Sequence, residues 1–184
     1  MLKSILHRFV RRMERDLDYD ASYVHEVVDA NPLAALKFAT ATGMVPQRDA
    51  PAAALAAAGL VGTLAEDCGP CTQISVDLAL RRGVQPEVVR AILAGDEAAM
   101  GEDAALGYRF AKASLERDLD AADAARDAVV RHWGRNGLVA LALALTTARM
   151  YPTMKYALGH GRACSRVLVA GAPAPFHAPL AEAA

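Results

Sequence analysis

A chain of 184 residues is long enough to bury a hydrophobic core without disulfide staples and reads as one domain of ordinary size. Its 20 basic and 21 acidic residues leave no cationic excess, which excludes the electrostatic footprint of a nucleic-acid binder. The chain is alanine-rich, poor in aromatics and free of Val/Thr-rich alternation, so the expected fold class is all-α, with no convincing strand.

Taken in order, residues 1–20 mix apolar positions with Lys3, Arg8, Arg11, Arg12 and Arg15. They lack the apolar core and cleavage site of a secretory signal, so a cytoplasmic location is expected. Glu14, Asp16, Asp18 and Asp20 dilute the basic charge, which favours a solvated helix over one lying on a membrane. Residues 21–30 suit a short helix with Tyr23, Val24, Val27 and Val28 on one side. Asn31-Pro32 then restarts the chain with a cap followed by proline at the first helical position, and the new helix runs toward Gly43.

After a loop at 44–51, Pro51 opens a helix of small residues to 64, in which Gly59 should let a neighbouring helix approach closely. The uncharged run 50–65 is too short for a confident membrane span and reads as a close-packed internal helix. Val84-Gln85-Pro86-Glu87 marks another start, ended at Gly95, and a further helix is expected over 102–116. Asp120 is the expected cap of the next, Gly134 its stop and Asn136 the cap of a strongly apolar helix over 137–158, which Pro152 should kink. From Pro173 onward the chain becomes a proline-rich tail. The expected organisation is an N-terminal helical extension (1–50), a helical core (51–170) and the tail (171–184).

The chemistry concentrates at Cys68-Gly69-Pro70-Cys71. The apolar pattern of Ile74 and Leu78 and the stop at Gly83 place the pair at the first turn of a helix. Unpaired N–H groups and the helix dipole stabilise a thiolate there. A redox dithiol, half of a metal site and a pair of inert core residues are the three readings of such a pair. His160 and Cys164, four apart, could in principle complete a four-ligand zinc site, but each reads more simply as a helix-end residue and a small buried hydrophobe, so no metal is expected. Glu66 is the candidate proton acceptor near the thiols, with a solvated first-turn acid as its simpler reading. Tyr151, Lys155 and Trp133 read as packing or surface residues. Ser75 lacks the histidine and acid neighbours of a hydrolase nucleophile.

These residues resemble the superfamily of carboxymuconolactone decarboxylases and alkylhydroperoxidase D-like proteins. The resemblance rests on Cys68-Gly69-Pro70-Cys71, on Arg82-Gly83-Val84, on the start Pro86-Glu87-Val88-Val89-Arg90-Ala91-Ile92-Leu93-Ala94-Gly95-Asp96, on His132-Trp133-Gly134 and on Tyr151-Pro152. It covers roughly residues 50–164. It implies an all-helical, often oligomeric fold and a thiol-dependent oxidoreductase whose dithiol reduces a peroxide or a disulfide, with a thiol reductant or redox partner protein and no cofactor. By that precedent Cys71 attacks and Cys68 resolves. Two features of the family relay are missing: Ser75 stands where a histidine is expected, and no acid stands near Ala56, where the relay glutamate is expected. Glu66, Asp67 or Asp77 are possible substitutes. The alternatives are lyase chemistry of the decarboxylase branch and a non-catalytic oligomeric helical module. Self-association is expected because helices 50–65 and 137–148 carry more apolar surface than one small bundle readily hides.

Overall fold

The structure, a computed structural model, describes residues 1–161 and 167–174. It is all-α apart from one minimal hairpin. The helices are α1 (Leu2–Leu17), α2 (Ser22–Ala30), α3 (Pro32–Ala39), α4 (Ala52–Ala65), α5 (Gly69–Arg81), α6 (Pro86–Ala94), α7 (Glu102–Glu116) and α8 (Leu119–Ala157), with a 3-10 turn at Thr40–Met44 after α3. Two short strands, β1 (Leu168–Val169) and β2 (Ala172–Pro173), pair antiparallel, with Leu168 opposite Pro173. Strands this short carry no readable alternation, which is why the sequence shows no sign of them. Among the described residues no helix is long and apolar enough to cross a membrane.

The centre is α4. Its alanine, leucine and valine residues surround the whole helix, and a helix apolar on every side must be enclosed. It packs against α5, α6, α7 and α8, and Leu60 and Val61 are fully buried. Its apolar surface is therefore covered within the chain and is not the face available to a second copy. The close approach expected at Gly59 occurs instead at Gly62, where an added Cβ would lie 2.9 Å from the carbonyl oxygen of Leu145 on α8. Nothing lies within 4 Å of such an atom at Gly59. A second close approach brings Gly107 of α7 against the Ala54 backbone.

Local signals set most helix ends. Asn31 caps α3, accepting a hydrogen bond from the Ala34 N–H at 3.0 Å, with Pro32 behind it. Gly95 closes α6 at φ 71°, where the missing Cβ makes the left-handed conformation accessible. Three expectations shift. Asp118, not Asp120, caps α8, accepting from the Ala121 N–H at 3.1 Å. The break within α8 falls at Gly134 (φ 69°, ψ −175°), while the backbone stays helical through Pro152. Helix resumes directly after Gly134, so Asn136 lies inside its first turn rather than capping it.

The N-terminal helices build a second apolar cluster from Leu6, Val10, Tyr19, Tyr23, Val28 and Ala35, which packs on Ile74 of α5 and on Met154 and Leu158 at the end of α8. A polar chain holds α1 to α2. The Nδ1 atoms of His7 and His25 meet at 2.6 Å, His7 Nε2 reaches Asp29 at 3.0 Å and His25 Nε2 reaches Glu14 at 3.3 Å. Arg81 at the end of α5 donates to the Asp16 carbonyl oxygen at 2.9 Å. These contacts set the extension directly over the cysteine pair.

Candidate active site

The chain leaves α4 through Glu66 and the left-handed Asp67 (φ 48°), becomes extended at Cys68 and enters α5 at Gly69-Pro70. Proline's fixed φ and its missing donor suit this first turn, where an N–H would have no intrahelical acceptor. The Thr72 N–H and hydroxyl both donate to the Cys68 carbonyl oxygen, at 2.9 and 3.0 Å. Cys68 is thereby placed at the cap position and Cys71 one turn on. Their Sγ atoms lie 2.7 Å apart, and both residues are free thiols, 4 % and 5 % exposed.

The two thiols are electrostatically unequal. The hydrogen bond between the two sulfurs holds Cys68 below the ordinary thiol value, down to about 7. Burial and nearby Asp67 oppose this lowering, whereas the Cys71 backbone N–H and Lys155 assist it. Cys71 is pushed up, first by that hydrogen bond, then by burial and by the charge of its neighbour. The two shifts run in opposite directions, so Cys68 is the more acidic thiol of the pair. This order is the reverse of the roles that the resemblance implies.

The surroundings come from distant parts of the chain. The Tyr19 hydroxyl lies 3.9 Å from Cys71 Sγ, and burial raises Tyr19 and Tyr23 well above the usual phenol range. The Tyr156 hydroxyl donates to the Asp67 carbonyl oxygen at 2.8 Å, steadying the turn before Cys68. A cavity of about 420 Å³ opens beside the pair, walled by Tyr19, Tyr23, Pro70, Ile74, Lys155 and His160 among others. Gln73, one turn into α5, treats β1 as a backbone partner: it donates to the Leu168 carbonyl oxygen at 3.0 Å and accepts from the Leu168 N–H at 2.7 Å.

Glu66 is turned to another task. Its carboxylate accepts from Arg149 Nε at 2.6 Å and from the Thr153 hydroxyl at 3.3 Å, tying the α4–α5 turn to α8. His160 pairs with Glu26 at 2.9 Å, and Cys164 lies outside the described residues. Among the described residues no group of three or more His, Cys, Asp or Glu side chains could hold a metal ion. Ser75 is half-buried on α5 and Ala56 is buried in α4. Lys155, expected as a packing or surface residue, is buried. Tyr19 lies in the connection between α1 and α2 and Tyr23 in the first turn of α2, and nothing local marks the cysteines as what they cover. Compared with family models, with curated proteins and with solved structures, the chain finds no significant match in any of the three.

Proposed function

We propose that the protein is a thiol-dependent oxidoreductase, akin to the alkylhydroperoxidase D-like proteins it resembles, in which Cys68 and Cys71 cycle between dithiol and disulfide. The observation that carries this reading is the pair itself: two free sulfurs 2.7 Å apart at the first turn of α5, with Cys68 held below the ordinary thiol value. The substrate is a peroxide or a partner's disulfide, and a thiol reductant or redox partner protein restores the dithiol. Such a dithiol works in a reducing compartment, which fits a cytoplasmic setting.

For a peroxide, the Cys68 thiolate attacks the terminal oxygen. The O–O bond breaks, and the alkoxide leaves as an alcohol after taking a proton, leaving Cys68 as a sulfenic acid. The Cys71 sulfur then attacks the Cys68 sulfur and forms the S–S bond. The displaced hydroxide combines with the Cys71 proton as water. Two electrons pass from the dithiol to the peroxide, and an incoming dithiol returns them by exchange. Neither Ser75 nor Ala56 supplies a relay group, so proton transfer rests on the asymmetry of the pair, and turnover slower than with a full relay is expected.

Peroxide treatment should convert the two thiols to a reversible intramolecular disulfide, seen as the loss of two hydrogens by mass spectrometry and of both thiols by titration. Cys71→Ser should trap Cys68 as a sulfenic acid or mixed disulfide, and Cys68→Ser should abolish attack. Full peroxide and disulfide reductase activity in the double Cys68→Ser/Cys71→Ser variant would rule the reading out in favour of a lyase or a non-catalytic module.

A further inference from the structure

Lys155 stands near the end of α8, 5 % exposed, in the wall of the cavity beside the dithiol. Its Nζ lies 5.3 Å above the centre of the Tyr19 ring, and that tyrosine's hydroxyl touches Cys71. Among the described residues no carboxylate lies within ion-pair distance of it, whereas Glu66 and His160 are committed to Arg149 and Glu26. An ammonium so deeply covered needs a compensating anion, since an aromatic face offsets only part of its lost hydration.

The charged and titratable groups around it are few. The N-terminal segment contributes Tyr19, Asp20 and Tyr23, of which Asp20 is exposed at the cavity rim and accepts hydrogen bonds from Ser22. The α4–α5 turn contributes Asp67, and α8 itself Tyr156, next to it in sequence. Asp20 feels the charge of Lys155 from the exposed rim, and Asp77 of α5, on the same cavity, accepts from Gln73 at 2.9 Å; the buried candidates for the anion are the two sulfurs. Lys155 favours the charged form of both thiols.

We propose that Lys155 is a positioning residue of the dithiol: its buried ammonium is the fixed counter-charge of the thiolate, held in place by the Tyr19 ring. This rests on the reading of the pair as a working dithiol and adds the group that keeps it reactive. It also assigns the N-terminal segment a part in the chemistry, because the connection between α1 and α2 supplies the ring that covers the cation. Oxidation to the disulfide removes the thiolate and leaves Lys155 without its anion, so reduction of the disulfide restores a charge pair as well as the Cys71 S–H group.

The test uses the reduced full-length protein and needs neither a peroxide nor a disulfide substrate. Thiolate formation is followed by absorbance at about 240 nm and by the rate of iodoacetamide alkylation across the pH range, with the alkylated cysteine identified by mass spectrometry. In the wild type Cys68 should titrate at about 7. Lys155→Met should raise that midpoint by about one pH unit, leaving about fivefold less thiolate at pH 7. Lys155→Arg should return the midpoint toward the wild-type value. Lys155→Gln repeats the measurement if the methionine variant does not fold. An unchanged midpoint in a folded neutral variant, or an arginine variant no better than the neutral one, overturns the proposal. If the double cysteine variant keeps full activity while Lys155→Met still moves the titration, the redox function fails and the charge pairing stands.

Discussion

The helix α4 and the N-terminal helices α1–α3 solve the same problem in opposite ways. In α4 the apolar residues lie on every side, and four other helices cover them. In α1 they lie along one stripe, where Leu6 and Val10 are buried while Leu2, Ile5 and Phe9 remain exposed. The first is a close-packed interior held by shape and the second a cover held by a smaller apolar cluster, by aromatic contacts such as Phe38 with Tyr151 and by a few polar bonds. A packed interior fails globally, whereas a cover can open while the rest stays folded. The dithiol sits on the boundary, its backbone set by the α4–α5 turn and its sulfurs covered by Tyr19 and Tyr23.

The largest effect expected is from Tyr19→Ala. Removing a buried ring costs about 3–5 kcal/mol, and here the loss should be local: the N-terminal helices loosen, native-state alkylation of the cysteines accelerates and the main unfolding transition persists. A single shifted transition, with no gain in alkylation under native conditions, would break the comparison. Leu60→Ala in α4 should cost about 2–5 kcal/mol, with the whole melting curve moving down and the cysteines staying protected until unfolding.

Two glycines of the same helix sharpen the contrast further. Gly62→Ala forces a Cβ against the Leu145 carbonyl oxygen, and overpacking of this kind costs about 1–3 kcal/mol. Gly59→Ala meets open space and should stabilise the protein by about 0.5–1 kcal/mol, through the lower entropy cost of ordering alanine in a helix. Chemical denaturation of the two variants decides both. Equal signs would show that α4 is not gripped from the Gly62 side.

Most helix ends were legible because the information lies within four residues. Asn31-Pro32 and the glycine at 95 each satisfy or release a backbone constraint locally, and the structure uses them as read. Reading failed where two equivalent residues competed. Asp118 and Asp120 are both competent caps, and the choice depends on where α7 ends and α8 docks. Gly59 and Gly62 have the same freedom, and only the position of α8 shows which one is in contact. The stop expected at Gly134 is where the helix breaks, whereas Pro152, expected to kink it, lies within helical backbone.

The sequence by itself determined the all-α class, the central burial of residues 52–65 and a cysteine pair at the start of a helix, because periodicity, capping and proline placement act over one or two turns. Only the tertiary structure decided what surrounds the sulfurs. Glu66, adjacent in sequence, is drawn away to Arg149 across 83 positions. Tyr19 arrives from 52 positions upstream, and Lys155 from the far end of α8. Burial, charge pairing and access depend on which helices share a layer, and that is set by the packing of apolar faces across the chain. A local pattern could reveal a dithiol here, but not which sulfur would carry the charge.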